Sequence, residues 1–185
     1  MSLIWILLVV VVLAGLWAVA IYNALVRRRT VTQEAWSGIE AQLKRRADLI
    51  PNLVESVKGY ATHERDTFDD LAKLRSQGEG QSDPAARATT ETAISAAIGK
   101  IMAVAEAYPQ LRASENFQGL QKDLADVEDQ IQLARRYYNG AVRDYNVMIQ
   151  QFPSNLVANF GAFKPAAFFQ IDDAADRAVP KVSFS

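Results

Sequence analysis

Residues 3–22 read LIWILLVVVVLAGLWAVAIY and carry no charged side chain. This run constrains the fold more than any other feature. About twenty apolar residues in a helix rise about 30 Å, the thickness of a bilayer's hydrocarbon core. Trp5, Trp17 and Tyr22 stand near its ends, where aromatic rings anchor a span at the interface. The competing reading is a cleaved signal peptide, because Ala18-Val19-Ala20 resembles a cleavage site. Against it, no basic side chain precedes the run, and a signal peptide's apolar region is usually shorter. The first basic cluster, Arg27-Arg28-Arg29, follows the span. By the positive-inside rule that end stays in the cytoplasm and the short N-terminus crosses outward.

At 185 residues the chain has room for one domain besides this segment. Lys and Arg number 20 against 21 Asp and Glu, which argues against a nucleic-acid partner. The absence of cysteine excludes disulfides, thiolate catalysis and cysteine metal sites, and His63 is the single histidine.

Beyond the span, apolar residues recur in alternating steps of three and four. Trp36, Ile39, Leu43, Arg46, Ile50, Leu53, Val57 and Tyr60 form one stripe, which Phe68 and Leu71 continue. The spacing predicts a helix from about 23 to 75 with one buried face, kinked at Pro51, which removes a backbone donor. SQGEGQSD, residues 76–83, reads as a loop whose Asp83 caps a second helix over about 84–108, with Pro84 in its first turn. Ile94, Ile98, Ile101 and Val104 mark that helix's inner side, and Tyr108-Pro109 ends it. A third helix, about 114–152, aligns Phe117, Leu120, Leu124, Val127, Ile131, Ala134, Tyr138, Ala141, Tyr145 and Met148. Such sustained spacing means coiled-coil-like packing, each buried large side chain contributing roughly 1.5–3 kcal/mol before entropy is counted. The predicted class is all-α: a transmembrane helix (1–22) continuing into a long antiparallel up-down-up bundle (23–152), then an aromatic tail (153–185). Helices of this length would make a rod standing off the membrane.

Tyr138-Asn139 and Tyr145-Asn146 repeat one heptad apart. On a helical wheel Tyr138 and Tyr145 fall in the apolar stripe, while Glu128, Arg135, Asn139 and Asn146 line its flank. On the first helix, Arg46 and Glu64 also sit in or near the stripe. Buried charges must be paired, so these eight residues are expected to form an interhelical polar network that sets register. The competing reading is a metal or catalytic cluster of His63, Glu64 and Glu128. Carboxylate-bridged metal bundles use Glu-x-x-His units from two helices, and the lone histidine is in no such unit. No catalytic, cofactor or metal residue is therefore assigned. Arg45, Asp48, Asn52, Gly59, His63 and Asp66 share the opposite face of the first helix. They read either as solvated or as a self-association surface, with Gly59 permitting close approach. In the tail, Phe160, Phe163, Phe168, Phe169 and Phe184 suit a strap on the bundle's seams, and the alternative is an exposed docking or membrane-contact segment. Pro165 and Pro180 bar a long helix there.

Several stretches together resemble the LemA family. They are AWSGIEAQLKRRADLIPNLVESVKGYATHE (35–64), LRASENFQGLQ (111–121), EDQIQLARRYYNGAVRDYN (128–146) and the FPSNLVANFGAF ending. The resemblance implies a single-pass protein of the bacterial inner membrane with a helical domain. It implies no catalytic residue and no cofactor. It points to association with membrane zinc peptidases, to envelope stress or membrane-protein quality control and, in one divergent branch, to magnetosome membrane formation. The expected function is a non-enzymatic membrane-anchored scaffold, a homo-oligomer or a holder of a membrane-protein partner such as a zinc peptidase. The alternatives are a membrane-remodelling protein and a carboxylate-dependent hydrolase.

Overall fold

The computed structural model describes residues 2–60 and 65–170. These form six helices, and no strand occurs among them. The helices are α1 (Ser2–Lys58), α2 (Arg65–Glu79), α3 (Pro84–Glu106), α4 (Pro109–Arg112), α5 (Glu115–Gln150) and α6 (Ser154–Phe160). The protein is all-α. Helix α1 runs without interruption from the apolar run through Pro51 to Lys58. Its N-terminal part is long and apolar enough to cross a membrane, and none of that window is buried within the chain.

The helix expected to reach Arg75 is two helices. Helix α1 stops at Lys58, and Gly59 and Tyr60 form a turn in which Tyr60 N donates to Val57 O at 2.9 Å. Glycine costs a helix interior about 1 kcal/mol relative to alanine, so the break falls where propensity is weakest. Lys58 in the last turn of α1 and Asp66 in the first turn of α2 match the helix dipoles. Helix α2 in turn extends into the expected loop, as far as Glu79. Asp83 caps α3, accepting from Ala86 N at 2.8 Å, with Pro84 in the first turn.

The chain divides into two compact units. The first comprises the chain up to Gly38 together with Arg136–Ala167. The second comprises Ile39–Arg135 and the chain from Phe168 onward.

In the second unit, Ile50, Leu53 and Val57 of α1 pack with Phe68 and Leu71 of α2, Ile94 and Ile101 of α3, and Phe117, Leu120 and Leu124 of α5. Gly78, near the end of α2, lies against the Arg87 and Glu91 side chains of α3. Glu91 in turn holds Arg46 of α1. Helix α2 has thus folded back along α1, and the expected up-down-up course gains one more reversal.

The first unit is built on Leu25, Tyr145, Ile149 and Ala158, with Ile21, Met148, Val157, Phe163 and Ala166 packed around them. Near the end of α5 the buried positions are Val142, Tyr145 and Ile149, while Ala141 and Met148, expected inside, are half-buried. Tyr138 and Tyr145 keep their expected inward places. The tail holds the short helix α6, turns at Gly161-Ala162 and then runs without helix or strand to Gln170. Ser154 starts α6 while its hydroxyl donates to Met148 O (2.6 Å) and Gln151 O (3.0 Å) at the end of α5.

Candidate functional site

Arg46 is 1% exposed, because its place in the apolar stripe of α1 carries it into the core of the second unit. Its Nη1 donates to Ser95 Oγ at 2.7 Å and to Glu128 Oε2 at 2.8 Å. Its Nη2 bonds Glu91 Oε2 and reaches Glu91 O at 3.4 Å. The other oxygen of Glu91, Oε1, stands 2.6 Å from Arg87 Nε. Two guanidinium groups thus meet two carboxylates and the local charge cancels. That cancellation is the condition under which ions persist in a core. Glu91 is as buried as Arg46, whereas the Glu128 side chain is 39% exposed, so α5 contributes the solvated edge of the cluster.

Of the residues expected to share one network, Arg46 and Glu128 meet directly. Glu64 lies outside the described residues, as does His63. Glu91 and Arg87 were not anticipated, although a signal was present. They sit three and seven residues before Ile94, so they extend the stripe of α3 in the steps by which Arg46 interrupts that of α1. Among the described residues no group of three or more His, Cys, Asp and Glu side chains is arranged to hold a metal ion.

The tyrosine–asparagine repeat lies in the first unit, and three of its four residues have a visible task there. Asn146 grips the tail backbone with both ends of its amide. Nδ2 donates to Ala166 O at 2.9 Å, and Oδ1 accepts from Ala166 N at 2.9 Å. The Tyr138 hydroxyl donates to Ala167 O at 2.8 Å, and its ring meets Trp36 at a centroid distance of 5.4 Å. Tyr145 is core, and burial pushes its hydroxyl pKa up, with Arg29 opposing the shift. Asn139 and Arg135 are half-buried. Phe163 packs edge-on against Tyr22 at 5.4 Å, so the tail returns to the last residue of the apolar run. A side chain at Gly161 would stand 2.6 Å from the Phe163 ring and 3.3 Å from Tyr22. Only glycine leaves that room.

Of the expected association face, Arg45, Asp48, Asn52, Gly59 and Asp66 are exposed. No atom stands within 4 Å of a side chain built at Gly59, which lines an open groove with Pro51, Val54, Lys58, Phe68 and Asp69.

The family model for the LemA family matches residues 35–184, most of the chain. The chain belongs to the LemA family. The match begins at the Ala35-Trp36 motif, so it takes in the Arg46 cluster and the tail clamp and leaves out the apolar run. Magnetosome protein MamQ 2 of Paramagnetospirillum magneticum is 28% identical over 181 residues, covering 84% of this chain. Magnetosome protein MamQ of Magnetospirillum gryphiswaldense is 25% identical over the same length. The chain spans 66% of the length of these MamQ relatives. Protein LemA of Metamycoplasma hominis is 28% identical over 152 residues, covering 82% of this chain and 69% of that protein. As a LemA-family member with a fully exposed apolar helix, the chain is membrane-associated.

Proposed function

We propose that this LemA-family chain is a non-enzymatic, single-pass scaffold of the bacterial inner membrane. Its helical domain faces the cytoplasm, and it acts by assembling with itself or by holding a membrane-protein partner such as a zinc peptidase. The Arg46 cluster carries the reading. Both oxygens of Glu91 are taken by guanidinium groups, and Oε2 of the half-exposed Glu128 bonds Arg46, so the fully buried charges of the core are spent on one another. A catalytic carboxylate needs a free oxygen within reach of substrate. The Tyr138 and Asn146 contacts support the same reading, since they hold the chain's own tail. Orientation follows from Arg27-Arg28-Arg29 by the positive-inside rule. The exposed Arg45, Asp48, Asn52 and Asp66 offer charged and polar groups to a partner surface. Crosslinking in native membranes followed by mass analysis tests the proposal. The expected product is a multimer or a defined complex with a membrane protein, and recovery of monomer alone would sink the idea.

A further inference from the structure

Helix α6 leaves its apolar side uncovered. Phe152, in the turn before it, is 78% exposed, Leu156 59% and Phe160 95%. Leu156 and Phe160, four residues apart, fall along one line of α6, and Phe152 stands exposed in the turn that leads into it. Ser154 and Ala158, on the other side, are buried. Surface helices of soluble proteins are arranged the opposite way, with the apolar line inward.

The position of α6 identifies what covers this line. Arg28 pairs with Asp144 at 2.8 Å, and Leu25 packs with Tyr145 and Ile149, so α5 descends beside α1 toward the apolar run. Helix α6 follows the end of α5, and Ala158 and Val157 pack in the cluster that holds Leu25 and Ile21. Phe163 then touches Tyr22. The apolar run ends at Tyr22 and the first charges are Arg27-Arg28-Arg29. With Leu3–Tyr22 filling about 30 Å of hydrocarbon, Ile21 and Tyr22 stand at its edge and residues 23–28 occupy the headgroup layer. Helix α6 lies at that level, and Phe, Leu and Trp beside basic side chains are what an interfacial segment presents to lipid. Arg27, Arg29 and Lys164 are exposed and supply the basic groups, while Arg28 is paired with Asp144.

We propose that α6 is a second membrane contact, a foot whose Phe152, Leu156 and Phe160 enter the acyl–headgroup boundary of an anionic bilayer beside the span. This rests on the N-terminal run crossing the membrane. The foot turns a single pivoting anchor into two points of contact, which fixes the first unit's rotation against the bilayer.

The absence of cysteine makes the test direct. Single cysteines replace Val11, Asn159 or Tyr137 in separate full-length chains. Each carries an environment-sensitive fluorophore and is reconstituted into phosphatidylethanolamine–phosphatidylglycerol vesicles with brominated acyl chains. Asn159 is exposed beside Phe160, and its replacement keeps all three apolar residues, while Tyr137 is an exposed control on α5. The expected result is blue-shifted emission and quenching by brominated lipid at 11 and at 159, with neither at 137. Combining Phe152→Ser, Leu156→Ser and Phe160→Ser abolishes quenching at 159 and leaves it at 11. Quenching at 11 with a label at 159 that responds only to aqueous iodide overturns the foot alone. A label at 159 shielded from iodide but untouched by brominated lipid means that a second copy covers the line, and that also overturns it. A label at 11 that escapes brominated lipid removes the span and the foot together.

Discussion

Arg46 and Glu91 are the two most consequential polar side chains in the second unit, because each is buried and each is the other's counter-ion. Glu91→Gln removes the charge shared by Arg46 and Arg87 while leaving both guanidiniums in place. Breaking a buried pair in this way costs about 3–5 kcal/mol, and the Glu128 contact keeps the effect toward the lower end. The urea midpoint of the detergent-solubilised chain should fall accordingly. Removing the ions together, by Arg46→Met, Arg87→Met and Glu91→Leu, should cost less than Glu91→Gln alone, since no uncompensated charge remains in the core. A triple variant weaker than the single one would show the cluster to be favourable in itself. Glu128→Gln is the mild case, because its exposed side chain is screened by water, and about 1 kcal/mol or less is expected. Tyr145 gives a pH dependence. Its pKa in the fold is raised above 10.0 by burial. Below that value both folded and unfolded chains keep the proton and nothing changes. Above it the unfolded chain ionises first, so stability falls as pH rises toward the raised value. Comparing alkaline unfolding of the native chain with Tyr145→Phe isolates this effect, and the variant should show the shallower loss.

The tail is where pattern and outcome differ most, and its clamp can be tested element by element. Asn146→Ala deletes both bonds to Ala166, worth about 1–2 kcal/mol together, and leaves the Ala166 N–H without its acceptor. Hydrogen exchange at the Ala166 amide should accelerate far more than exchange along α5. Gly161→Ala acts from the other end, since the new methyl group meets the Phe163 ring. Overpacking of this kind costs about 1–3 kcal/mol and should loosen the same residues. The helices themselves were legible because burial imposes a period, and Ile39, Leu43, Ile50, Leu53 and Val57 obey it from one side of Pro51 to the other. The turn-back after Lys58 was not, because Phe68 and Leu71 keep the same spacing after the break as before it. A continued stripe says that both helices bury one face, and it says nothing of whether the chain reverses between them. The Tyr-Asn repeat was legible as a set of inward and flanking side chains. Its partner was not, because Asn146 and Tyr138 bond backbone atoms of a non-helical segment, and backbone carries no sequence signature.

For the chain as a whole, the division between anchor and domain is less sharp than composition suggests. Hydropathy puts the boundary after Tyr22, yet Ile21 belongs to the core of the first unit and Tyr22 holds Phe163. The last turn of the apolar run therefore packs against the folded tail on one side, and in a chain that spans the bilayer as proposed its other side meets lipid. Periodicity reads a helix against one environment at a time, and so it cannot assign such a turn. The consequence is a sharp dependence on where the anchor is removed. A chain starting at Ile21 keeps Ile21, Tyr22 and Leu25 and should retain slow exchange at Ala166. A chain starting at Val26 loses all three and the floor under Ala158 and Phe163. Its tail should exchange fast, while Arg46, Glu91 and the core of the second unit stay protected. Equal protection of Ala166 in both chains would mean that the Asn146 and Tyr138 bonds hold the tail unaided, and that the end of the span takes no part in folding it.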